Sequence, residues 1–161
     1  MKVMKMVSMI AQANKILVSV DRHGAYDFSG IFYTSMLDQW EPFASAAELV
    51  LKLERQFDLF QFPQRSQECR SLLPADLEKE DSQTGEGMLY PYSAEKERKP
   101  YEARFLVQVL FRQNGSWQGR VEWLDQEEPR AEDFRSTLEL LHMLMEAVHN
   151  SVEKEKADKI S

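Results

Sequence analysis

Leu37-Asp38-Gln39-Trp40-Glu41-Pro42 returns later in the same chain as Leu124-Asp125-Gln126-Glu127-Glu128-Pro129, with five of six residues identical. Each copy is followed by a helix start, Phe43-Ala44-Ser45-Ala46-Ala47-Glu48-Leu49 in the first case and Phe134-Arg135-Ser136-Thr137-Leu138-Glu139-Leu140 in the second. Each is preceded by a matching strand pair: Ile16-Leu17-Val18-Ser19-Val20 corresponds to Phe105-Leu106-Val107-Gln108-Val109, and Phe28-Ser29-Gly30 to Trp117-Gln118-Gly119. The blocks recur in one order, and their spacing changes only between blocks, where loops absorb insertions. This pattern predicts an internal duplication of a strand–strand–helix unit.

Working outward, residues 101–112 alternate cleanly. Tyr101, Ala103, Phe105, Val107, Val109 and Phe111 share one parity, and Glu102, Arg104, Leu106, Gln108, Leu110 and Arg112 the other. A period of two describes a strand with one buried face. Asn114-Gly115 supplies a turn that tolerates positive φ. The next strand places Trp117, Gly119, Val121 and Trp123 inward, as Phe28, Gly30 and Phe32 are placed in the first copy. The glycine two positions after an aromatic is read as leaving room for a helix or ring packed across the sheet.

Both helices open with a capping box, Ser45-x-x-Glu48 and Ser136-x-x-Glu139. There the serine oxygen accepts an early free N–H and the glutamate reaches back to the cap residue's own N–H. Apolar stripes follow: Leu49, Val50, Leu53 and Phe57, then Leu140, Leu141, Leu144, Met145 and Val148. Phe62-Pro63 ends the first helical region, and the second is expected to fray into a charged tail.

The predicted fold is α+β: duplicated strand–strand–helix units forming a largely antiparallel four-stranded sheet with two helices on one face. The first repeat spans 15–60, a connecting segment 61–100, the second repeat 101–150 and the charged tail 151–161, all in one domain. Most of the connection is acidic and is expected to be a mobile linker, with Leu89-Tyr90-Pro91-Tyr92 docking on the core. The element order is a circular permutation of the ferredoxin-like order, a topological likeness that carries no activity.

The segment Phe111-Arg112-Gln113-Asn114-Gly115-Ser116-Trp117-Gln118-Gly119, with Trp123-Leu124 and the stretch Phe134 to Leu140, resembles a group of short bacterial hypothetical proteins that share the pattern FRQN-x-SWQG…WL…FRS-x-LEL. The resemblance covers mainly the second repeat and implies no activity, cofactor or site.

Composition narrows the functional classes. Among 161 residues, 43% are hydrophobic, enough for a packed core, and the net charge is −7. An acidic chain is a poor general binder of duplex DNA or of membrane surfaces. The charge is uneven: 125–133 contribute −4 and 34–60 contribute −3, whereas 101–124 sum to +1. Cys69 is the sole cysteine, so no intrachain disulfide forms. The first residues do not read as a signal peptide and no apolar run is long enough to span a bilayer, so a cytoplasmic location and no membrane contact are expected.

Catalytic signatures are missing from the sequence. It holds no glycine-rich phosphate loop, no GxGxxG after a strand and no GxSxG elbow. No cofactor and no metal are expected. Cys69 reads as a buried or incidental thiol, and Asp125, Glu127 and Glu128 as a solvated turn without the ordered oxygen spacing of a calcium loop. His142, Glu146 and His149 share a helical face that has the residue types to hold a metal, but read as a solvated polar stripe.

The surface singled out is the sheet face away from the helices. Its expected interaction residues are Tyr33, Arg104, Leu106, Leu110, Arg112 and Arg120, arginines framing aliphatic groups, a mixture that interfaces favour. Three uses stay open: a solvated face, a protein partner or homodimer, and single-stranded nucleic acid. The last ranks lower because stacking surfaces need exposed aromatics and only Tyr33 falls on this parity. The expected function is a small non-catalytic intracellular binding or regulatory protein acting through protein contacts. One subtype is an acidic inhibitor of a nucleic-acid-binding enzyme from a mobile element. The alternatives are a single-stranded nucleic-acid binder and an enzyme whose site assembles only in three dimensions, around His142 and His149.

Overall fold

Two apolar helical stripes and four strands of one buried parity need a common core, and the computed structural model places them around one. It describes residues 14–34, 37, 39–76, 102–128 and 130–160. In chain order the elements are β1 (Lys15–His23), β2 (Phe28–Thr34), β3 (Gln39–Phe43), α1 (Ala46–Phe60), β4 (Ala103–Phe111), β5 (Gln118–Trp123), β6 (Arg130–Phe134) and α2 (Thr137–Ile160). The strands form a six-stranded sheet, β3-β2-β1-β4-β5-β6, in which every neighbouring pair is antiparallel.

The class, α+β with two helices against an antiparallel sheet, is as the sequence predicts. The strand count is not: the sheet has six strands rather than four, and three strands precede each helix. The added strands, β3 and β6, are the two edges of the sheet. An edge strand pairs on one side only and carries charge or proline to discourage further pairing. Glu41 and Pro42 in β3, and Arg130, Glu132 and Asp133 in β6, fit that role and erase the alternation that would announce a strand.

The two halves meet along β1 and β4, where Leu17 faces Leu106. Their registers run in parallel. Val20 pairs with Gly30 and then Arg22 with Ser29; Val109 pairs with Gly119 and then Phe111 with Gln118. Each first strand therefore carries a bulge of one extra residue at the same place. The bulge explains the glycines. A Cβ at Gly30 would stand 1.9 Å from the Ser19 carbonyl oxygen, and one at Gly119 would stand 1.9 Å from the Gln108 carbonyl oxygen. The neighbouring strand's backbone, rather than a helix, fills the space.

One core runs through the molecule. Ile16, Val18, Phe32, Phe43, Phe105, Val107, Val121 and Phe134 of the sheet form a single cluster with Leu49, Leu53 and Phe57 of α1 and Leu140, Leu144 and Val148 of α2. Both helices thus cover the same sheet face. Trp117, just before β5, is buried and packs edge-on against Phe57 of α1, with ring centroids 5.5 Å apart. Asn114 and Gly115 turn between β4 and β5, both at positive φ.

Ser45 Oγ accepts the Glu48 N–H at 3.0 Å, and Ser136 Oγ accepts the Glu139 N–H at 3.0 Å. The glutamates reach back one residue further than expected. Glu48 accepts the Ala44 N–H and Glu139 the Arg135 N–H. The second helix does not fray at 151 but continues to Ile160. Residues 77–101, including Leu89-Tyr90-Pro91-Tyr92 and most of the linker, lie outside the described residues, as does the first inward residue of the alternating stretch, Tyr101.

Candidate interaction face

The sheet face away from the helices is built by strand register. Trp40 lies beside Tyr33, Tyr33 beside Leu17, Leu17 beside Leu106 and Leu106 beside Glu122. This row crosses from an apolar half to a charged half. Tyr33 and Trp40 are in ring contact at 5.6 Å. The next row holds Pro42, Ile31, Ser19 and Arg104. On the other side of the central row, Gln108 lies beside Arg120 and Arg120 beside Asp133.

The arginines of this face are already engaged. Arg104 Nε donates to Asp125 Oδ1 at 3.2 Å, and the Arg104 backbone N–H donates to the same carboxylate. Arg120 Nη1 donates to Asp133 Oδ1 at 2.9 Å. Both pairs are solvent-exposed, where such contacts add little stability. They place the two guanidiniums beside carboxylates of the protein's own chain.

Five of the six residues singled out from the sequence, Tyr33, Arg104, Leu106, Leu110 and Arg120, lie on this side of the sheet. Leu110 is 45% exposed. Arg112 does not lie there, and the expectation for it is corrected. The bulge after Val109 inserts one residue, which reverses the parity beyond it. Phe111 turns outward and is 56% exposed, while Arg112 turns under the helices and is buried.

There Arg112 donates to Glu54 and Asp58 of α1 at 2.9 and 2.6 Å and to the Pro63 carbonyl at 3.0 Å. Its guanidinium also lies over the Phe57 ring, and Trp117 Nε1 donates to Glu54. Arg65 joins Asp58 from the far side. Burial alone pushes the Asp58 carboxyl up, but the hydrogen bonds from Arg112 and Arg65 outweigh it and hold it below the usual carboxylate range. This cluster ties the connecting segment and the second half to α1, and its chemistry is structural.

Two aromatic groups of the open face were not expected from the sequence. Phe111 is displaced by the bulge, and Trp40 stands on an edge strand whose proline and charges hide its periodicity. The clue to both was the repeat itself, since a matched glycine and a matched block before each helix imply matched backbone.

The described residues hold no helix long and apolar enough to cross a membrane. No three His, Cys, Asp or Glu side chains among them already converge as a metal site. Cys69 is exposed, and its Sγ lies 3.3 Å from Arg65 Nη1. No family model, curated protein or solved structure matches the chain.

Proposed function

We propose that the protein is a small non-catalytic binding protein that acts through protein contacts made by the open face of its sheet. The observation that carries this reading is the row Trp40, Tyr33, Leu17 and Leu106, an apolar strip that the molecule's own helices leave uncovered. Aromatic groups beside fixed arginines are the residues on which binding energy concentrates. The partner that fits offers aliphatic or aromatic anchors to the strip and polar groups at its border, where Arg104 and Arg120 are already paired with Asp125 and Asp133.

A second reading, single-stranded nucleic acid, is favoured by Phe111 and Trp40, which with Tyr33 give the face three aromatics. Protein contact ranks first because Asp125 and Asp133 neutralise the two arginines that a phosphate backbone would need.

The test compares the wild-type chain with Trp40→Ala and Leu110→Asp. Both residues are solvent-exposed, so circular dichroism and thermal midpoint are expected to stay close to wild type. Sedimentation velocity reads self-association, affinity capture from the native host reads a partner, and fluorescence anisotropy with labelled oligonucleotides reads nucleic acid. Loss of a protein complex or of self-association in both variants supports the proposal. Loss of oligonucleotide binding alone transfers the face to the second reading, and variants that match wild type in all three assays remove it.

A further inference from the structure

The chain has three histidines, His23, His142 and His149. The structure brings His23, at the end of β1, against His149 of α2. The two rings meet edge to face with centroids 5.5 Å apart. His142, Met145, Glu146, His149 and Glu153 line one shallow depression along α2 beside the β1–β2 turn.

His23 is held by a polar contact as well as by packing. Its Nδ1 lies 2.8 Å from Glu102 Oε2. With the Glu102 carboxylate accepting, Nδ1 is the donor, and the neutral tautomer that makes this bond has its lone pair on Nε2. A histidine whose second nitrogen is fixed by a carboxylate is the arrangement found at metal-ligating imidazoles. The ring spacing agrees. Two imidazoles bound tetrahedrally at about 2.0–2.1 Å would have centroids roughly 5 Å apart.

Glu146 and His149 then supply the Glu-x-x-His spacing that places two ligands on one turn of a helix. Among the described residues, no three ligand side chains point at one position. Glu146 and His149 are both exposed, and exposed side chains change rotamer within nanoseconds.

The other half shows what this position holds when it is closed permanently. Arg112 follows the second bulge as His23 follows the first, and it is clamped by Glu54 and Asp58. Asp58 follows buried Phe57 as His149 follows buried Val148. One end of the molecule thus carries a built-in cation between helix and strand. The matching position at the other end carries imidazoles.

We propose that His23, His149 and Glu146 bind a divalent transition-metal cation of the zinc, cobalt or nickel type, with Glu102 as the positioning residue for His23. The absence of thiolate ligands and the nitrogen–oxygen donor set select this class.

The experiment is calorimetric titration of Zn²⁺ into the full chain, free of affinity tag and chelator-treated, in a Cys69→Ser background that removes the exposed thiol. Saturable binding at one site below about 100 µM is expected near pH 7.5. His149→Ala and Glu146→Ala should each weaken it at least about 10-fold, and Glu102→Gln about 10- to 100-fold. His142→Ala, one turn away, should change it less than about 3-fold. Because His149 and Glu146 are exposed, circular dichroism of their variants should match the parent, which keeps the test valid if a His23 variant misfolds. Absence of saturable binding, or unchanged binding in His149→Ala, overturns the proposal.

Discussion

At the residue scale, Glu139 shows how a capping position fixes a charge. Its carboxylate accepts from the Arg135 side chain and from the Arg135 backbone N–H, and together these hold its pKa at about 2, against an ordinary value of 4.5. The sign follows from linkage. A carboxyl with a depressed folded-state pKa contributes its stability above the unfolded-state value, and the contribution is lost as pH falls through the folded one. Glu139 should therefore titrate near 2 in a carboxyl-detected NMR titration, and Arg135→Ala should move that midpoint upward. A midpoint already in the ordinary glutamate range would show that the hydrogen-bonded pair does not persist in solution.

At the scale of the element, the bulge is the feature with the widest consequences. It turns Arg112 inward and Phe111 outward, and it presses the β4 backbone against Gly119. A methyl group there would overlap the Gln108 carbonyl oxygen and approach the Phe134 ring. Neither backbone nor buried ring has room to move away. Gly119→Ala is expected to destabilise the protein by about 2 kcal/mol or more, the range of overpacked cores, measured by urea unfolding. Gly30→Ala should behave alike, since the first bulge presents the same backbone contact. A neutral result at both positions would mean that the strands separate easily at the bulge and that Arg112 is not firmly placed.

At the scale of the whole molecule, the halves do not have separate cores. β1 and β4 share a ladder, and Trp117 of the second half packs on Phe57 and hydrogen-bonds Glu54 of the first. Unfolding should consequently be a single cooperative transition seen alike by tryptophan fluorescence and circular dichroism. Trp117→Ala should lower stability by about 3–5 kcal/mol, the usual result of deleting a large buried ring, while keeping one transition. Two separated transitions in the wild-type chain would show that the halves are independent units.

Local rules were sufficient wherever one neighbour decides a residue's environment. Alternation in 103–109, the serine caps, the leucine stripes of both helices and the Asn114-Gly115 turn are all set by contacts close in the chain, and the sequence alone determined them. It also determined the class of fold and most of the open face, because parity carries Tyr33, Arg104, Leu106, Leu110 and Arg120 to one side. Tertiary structure decided the rest. A one-residue bulge leaves no mark in composition yet reverses every side chain beyond it, so the places of Phe111 and Arg112 depended on how β4 meets β5. The edge strands depended on β2 and β5 offering them a partner, since each buries only one residue, Phe43 or Phe134, too few to produce a period. The approach of His23 to His149 joins residues at opposite ends of the sequence, and only the packing of α2 across β1 brings those two rings together.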